Sequence, residues 1–188
     1  MDRLPMSSLS YEVGSDDRIV AVEGAWDQFA LENGAAGLTR DRVLGRPLFH
    51  FVSGDAAREL VALLLHRARE GAVISVPFRC DAPSRRRFLR LVVRSRADGH
   101  VRFDSRVERE EDRPSQPLLD TTLDRVGRFV VVCSWCRKVR SNAGWVEVEA
   151  AAESLDLFGG ALLPRLSHGI CETCERTVKI SAGALKRS

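Results

Sequence analysis

Four of the chain's five cysteines fall into two Cys-x-x-Cys pairs, Cys133/Cys136 and Cys171/Cys174, with 34 residues between the pairs. A Cys-x-x-Cys at the tip of a tight turn brings two thiolates to one point, at a spacing that suits one metal ion, and two such turns complete a tetrahedral site. The opening MDRLPMSSLSYEVG has no apolar signal core, which points to a cytoplasmic protein, and in that compartment paired cysteines argue against a disulfide framework. Four thiolates select zinc among the available metals, with iron as the competitor. The expectation is a structural zinc held by Cys133, Cys136, Cys171 and Cys174, stapling a C-terminal region that lacks a self-sufficient core. Thiol redox switching is the alternative, and Arg137, Lys138, Arg140 and Arg176 favour thiolates under either reading. His168 is a fifth candidate ligand, which four cysteines would leave outside the metal shell or exposed. Cys80 stands alone and reads as a small buried hydrophobe.

A length of 188 residues leaves room for one ordinary domain with an appendage or for two small ones. With 44% hydrophobic and 29% charged residues the composition is that of a soluble globular protein, and no apolar run approaches the ~20 residues of a membrane span. The clearest break is EREEDRPSQP, Glu108 to Pro117, which reads as a linker and divides the chain into residues 8–108, a linker 109–127 and a cysteine module 128–182.

In the first region, extended segments at Ser10–Val13 and Arg18–Val22 flank the turn-forming Gly14-Ser15-Asp16-Asp17 and predict a hairpin. A helix over Ala25–Glu32 stops at Asn33-Gly34, a short helical piece spans Arg42–Phe51 with breaks near Gly45 and Pro47, and a longer helix runs Asp55–Glu70 with Asp55 as N-cap. Three strands follow, Val73–Cys80, Arg87–Arg96 and His100–Val107. Alternation puts Ile74, Val76, Phe78 and Cys80 on one face of the first, Leu89, Leu91 and Val93 on that of the second, and Val101, Phe103 and Ser105 on that of the third. The fold class is therefore α+β, a five-stranded antiparallel sheet with helices on one face, plus a small zinc-binding module.

That order, with DDRIVAVEGAWDQFALENG and then VLGRPLFHFVSG before the long helix, resembles a PAS-type sensor domain over residues 8–108. The resemblance implies a domain that binds a small molecule between sheet and helices, or mediates protein contacts, and passes a conformational change to a partner. Flavin photosensors of this fold carry a reactive cysteine where this chain reads Gly45-Arg46-Pro47-Leu48-Phe49-His50-Phe51, so adduct photochemistry is not expected. Haem-binding members use a histidine on the long helix, but at about 100° per residue His66 falls opposite the apolar stripe of Leu60, Val61, Leu64 and Leu65. His50 reads as packed or half-exposed and His100 as a turn residue. Which ligand the pocket would take, if it takes one, is left open. The phrases CSWCRKV and SHGICETC, with the Trp145 segment between them, resemble a cysteine module at the ends of bacterial signalling proteins, in which the second pair usually reads HGICPxC. Glu172 replaces that proline and leaves the four cysteines intact.

The resulting expectation is a non-enzymatic signalling protein whose output goes to another signalling protein or to a second copy of itself, since no P-loop or G-x-S-x-G motif is present and no length remains for a kinase domain. A redox or metal sensor built on the four cysteines is a second class, and a zinc-containing transcriptional regulator a third. Nucleic acid is argued against by a formal charge of only +3 and by six basic residues mixed with six acidic ones from Phe129 to Lys179. One surface stands out. Alternation assigns Arg79, Arg90, Arg94, Arg96, Arg102 and Arg106, with Phe88 and Val92, to the outer face of the sheet, a cationic face with an apolar centre that reads as an interface with the module or a second protein.

Overall fold

A computed structural model describes residues 8–120, 122–154 and 163–184. The predicted hairpin forms from β1 (Ser8–Val13) and β2 (Ile19–Gly24), whose turn places Asp17 in the left-handed region at φ 61°. Then come α1 (Trp26–Glu32), α2 (Arg40–Val43), a 3-10 turn at Leu48–His50, and α3 (Asp55–Arg69). The helical piece expected over Arg42–Phe51 is thus split in two around Gly45, which sits at φ 72°. Strands β3 (Ile74–Arg79), β4 (Arg85–Ser95) and β5 (Val101–Asp112) complete one antiparallel sheet in the order β2-β1-β5-β4-β3.

The alternation expected for this sheet is met at Ile74, Val76, Leu91, Val93, Val101 and Phe103, which are buried in one cluster with Leu60, Leu64, Leu65 and Ala68 of α3, but fails at the end of β3, where Phe78 and Cys80 are only half-buried. Tyr11 stacks on Phe103 at 4.6 Å, and His66 stays exposed on the far side of α3. Asp55 is not the N-cap. Gly54 takes that position at φ 87°, because a β-carbon there would lie 2.8 Å from the His168 carbonyl oxygen; Asp55 falls instead in the first turn, where its charge suits the helix dipole.

The acidic stretch read as the start of a linker is strand. β5 continues to Asp112 and pairs with the first residues of β4 in the register Arg85↔Asp112, Arg86↔Glu111 and Arg87↔Glu110, so each carboxylate faces a guanidinium across the ladder. The register shift at Phe88/Leu89 leaves Glu108 as the extra residue of a bulge. Farther on, the 3-10 turn Pro117–Leu119 buries Leu118 and Leu119 in a second core.

That second core belongs to a four-stranded sheet: β6 (Arg125–Cys133), β7 (Val139–Ser141), β8 (Gly144–Val146) and, after α4 (Val148–Ser154), β9 (Leu163–Gly169), in the order β8-β7-β6-β9 with β6 and β9 parallel. The last element is α5 (Glu172–Ser181), which lies beside α3 and β3. Cys133, Trp135, Cys171, Cys174, Val178 and Ala182 share one apolar cluster with Leu64 and Ile74, so the cysteine region is built onto the five-stranded sheet. Arg67 on α3 reinforces the contact by donating from Nε to the Ala182 carbonyl at 2.8 Å.

Charge fixes the same junction at the end of β3. Arg79, assigned to the outer face that reads as an interface with the module or a second protein, is buried against the module: it pairs with Asp81, whose side chain is 0% exposed, and with Glu147 at 2.7 Å. Arg113 reaches Asp81 at 3.3 Å and Glu149 at 3.2 Å, and Arg86 reaches Glu149 at 2.9 Å. Removing one partner of a buried pair leaves an uncompensated charge, which costs about 3–5 kcal/mol. Asp81→Ala removes the carboxylate shared by Arg79 and Arg113, leaving them to Glu147 and Glu149, and is expected to lower the unfolding free energy in urea toward the lower end of that range, about 3 kcal/mol; an unchanged midpoint and slope would contradict this assignment.

Candidate metal centre

The parallel pairing of β6 with β9 is what unites cysteines 34 residues apart in sequence. Cys133 ends β6 opposite Gly169, which ends β9, so both Cys-x-x-Cys turns leave from the same end of adjacent strands. The first turn closes when Arg137 donates its amide to the Cys133 carbonyl at 3.0 Å and Cys133 donates to the Lys138 carbonyl at 2.8 Å; Arg137 takes the left-handed φ of 63° that the tight return requires. In the second turn Cys171 caps α5, its sulfur accepting the Cys174 amide at 3.4 Å.

All four Sγ atoms lie within 4.8 Å of one another, Cys136 and Cys171 at 3.7 Å, and all four thiols are free of disulfides. With metal–sulfur bonds near ~2.3 Å a tetrahedral site needs sulfurs just under ~4 Å apart, so the cluster fits one ion. Its electrostatics fit a cation as well. Hydrogen bonds from Cys136 and Cys174, then from the Cys136 and Cys171 amides, hold the Cys133 thiol far below its ordinary range. The same hydrogen bonding pushes Cys136 up to about 12 and Cys174 upward too, because a second thiolate must form beside the first. A bound cation removes that conflict, and the N-terminus of α5 adds favourable partial charge.

His168 does not join the cluster. It lies on β9 against Gly54, and burial followed by the nearby Arg137 charge holds its imidazole toward the neutral form. His50 is exposed and packs edge-on to Phe51. His100 sits beside Glu12 and Asp98, but Arg96 and Arg102 already engage Glu12, at 3.2 and 2.9 Å. Cys80 lies just past β3, half-buried, with its thiol pushed up by burial.

Trp135, between the first two cysteines, does what the spacing of ligands alone does not reveal. Its carbonyl accepts the Arg79 amide at 2.8 Å, and its indole Nε1 donates to the Pro77 carbonyl at 2.7 Å. β3 is an edge strand, and Pro77 and Arg79 are the residues whose backbone polar groups face outward there. An open edge invites pairing with another chain, and proline is tolerated only where no donor is required. Pro77 inside a strand is the sequence signal for an edge covered on that side.

Beside Trp135 a cleft of about 410 Å³ opens between the two sheets, lined by Phe78, Phe88, Leu89, Cys136 and Cys174 among others. Two of the four cysteines, Cys136 and the buried Cys174, are thus among the residues that line it. The outer face of the five-stranded sheet is not the cationic surface that alternation suggested. Arg90 pairs with Glu108, Arg94 with Asp104, Arg96 with Glu12, Arg102 with Glu12, Glu23 and Asp104, and Arg106 approaches Glu108 at 3.9 Å. Arg109 covers Phe88 at 3.9 Å, and Val92 is half-buried. The carboxylates that neutralise this face come from β1, β2 and β5.

No family model and no curated protein matches the chain.

Trp135→Phe keeps the ring and the carbonyl but removes the indole donor, leaving the Pro77 carbonyl without its partner. Stability is expected to fall by about 1–2 kcal/mol with metal content unchanged. Loss of metal to the extent seen in a cysteine variant, or no loss of stability, would contradict the division of labour between Trp135 and the sulfurs.

Proposed function

We propose that the chain is a non-enzymatic, cytoplasmic signalling protein in which a PAS-like sensory or protein-interaction domain is clamped to a four-cysteine zinc module, with a second signalling protein or a second copy of the chain as the receiver. The observation that carries this reading is the bonding of Trp135, held between two cysteine ligands, to the edge of β3. A change at the metal reaches the sheet through that residue, and a change in the sheet reaches the metal by the same route. The PAS-like assignment rests on the element order, two strands, then helices, then three strands, all in one antiparallel sheet with α3 packed on its inner face. Zinc is favoured by four thiolates on one tetrahedral point, a donor set that hard cations avoid. Five free thiols suit a reducing compartment. Among the described residues no helix is long and apolar enough to cross a membrane.

The cleft supports a second reading, in which the cysteine site is itself the switch. Cys136 and Cys174 line it, and the half-buried Cys136 is the ligand nearest to solvent from which oxidation by hydrogen peroxide would start. Two thiolates would then form one S–S bond, the peroxide would take their two electrons and two protons from solvent and leave as two waters, and the metal would be released.

Metal analysis of the purified protein is expected to give about one zinc per chain. Cys133→Ser or Cys171→Ser should lose it, while a variant lacking both Cys171 and Cys174 that still held a full equivalent would overturn the site. Zinc release by mild peroxide, reversed by thiol reductant, selects the switching reading; retention of zinc under the same treatment selects the structural one.

A further inference from the structure

The two faces of the four-stranded sheet differ in kind. One is covered by Leu118, Leu119 and α4 around Val130, Val132 and Val139. Because Val132 pairs with Val139, and Arg140 with Trp145, alternation puts Phe129, Val131, Arg140 and Trp145 together on the other face, with Arg165 beside Phe129 in the parallel register. Phe129 is 62% exposed, and the Arg165 guanidinium lies over its ring at 5.6 Å from the centre, so a base stacking there would take the other face of the ring or displace the guanidinium toward a phosphate. Arg140 and Arg165 are both exposed, and a shallow hollow of about 160 Å³ runs between Phe129, Val131 and Arg140.

Half of the acidic residues that argued against nucleic acid in the sequence are engaged elsewhere in the fold. Glu147 and Glu149 are consumed at the junction by Arg79, Arg86 and Arg113, and Glu175 by Lys179 along α5. No ion pair among the described residues involves Arg140 or Arg165, which leaves two cations flanking an exposed aromatic ring.

We propose that this face binds single-stranded nucleic acid, with Phe129 as the stacking platform for a base and Arg140 and Arg165 on the flanking phosphates. Aromatic rings on an open sheet, bordered by arginine, take unpaired bases because every base offers a π-face, and the phosphates supply the complementary charge. A duplex hides its bases, and among the described residues this face is formed by strands. An acidic peptide would satisfy the arginines but would have no use for the exposed ring. The inference goes beyond the signalling reading and does not depend on the PAS-like assignment.

The test is fluorescence anisotropy of labelled oligo-dT and oligo-U of about twelve nucleotides with the full, metal-loaded chain. Two phosphate contacts imply about a sevenfold loss of affinity between about 50 and about 200 mM salt. Phe129→Ala should weaken binding about tenfold at either salt concentration with the salt slope unchanged. Arg140→Gln and Arg165→Gln should each weaken it and flatten the slope, whereas Arg94→Gln on the other sheet should do neither. Unchanged zinc content and urea midpoint establish that the variants fold. The proposal is overturned by the absence of saturable binding, by indifference to Phe129→Ala, by a duplex of equal length binding as well, or by poly-glutamate competing as well, the last of which would make the face a site for an acidic protein.

Discussion

Four sulfurs from two distant segments must meet at one point, and the rest of this structure is arranged around that requirement. Parallel pairing of β6 with β9 delivers both Cys-x-x-Cys turns to the same end of one sheet, and the turns in turn set the position of Trp135. Trp135 then satisfies an outward amide and an outward carbonyl on the edge of the other sheet. A small metal module usually stands alone because the ion replaces the core it lacks. Here the cysteines are part of a core shared with α3 and β3, so an ion held by them would be energetically linked to the packing of the neighbouring sheet.

Much of this was legible in the sequence, where the physical signal was local. The hairpin around Gly14 to Asp17, the exposed side of α3 that carries His66, the buried faces of β3 to β5 and the ligand set itself all follow from turn chemistry, periodicity or spacing. What escaped was non-local. Glu110, Glu111 and Asp112 look like loop residues until Arg85 to Arg87 are placed opposite them, and only the folded ladder does that. Alternation assigns Arg79 to the outer face, but nothing local names its partner Glu147, 68 residues later, which accompanies it into the junction. The parallel partner of β6 and the clasp by Trp135 depend on chain segments whose proximity no short window encodes.

The arginines show how little a net count says about a surface. On the outer face of the five-stranded sheet, guanidinium and carboxylate alternate at mostly exposed positions, where each pair contributes less than about 1 kcal/mol and serves solubility and register more than stability. Around Asp81 the same chemistry is buried, and there it acts as a lock with a strong penalty for removing either partner. On the four-stranded sheet the carboxylates are drawn away to the junction, leaving Arg140 and Arg165 beside Phe129. One residue type thus supplies a solvated ladder, a buried lock and an open cationic edge, and partner count and burial decide which.

Coupling between the sulfurs and the sheet edge is tested most directly by amide hydrogen exchange, resolved to single residues, on the metal-loaded chain and on the chain stripped with a chelator. Stripping should free Trp135 and raise the exchange rate of the Arg79 amide to that of an unpaired strand edge, while amides inside the β1–β5–β4 ladder, such as that of Phe103, keep their protection. An Arg79 amide equally protected with and without metal would contradict the coupling, and so would simultaneous loss of protection across the whole sheet.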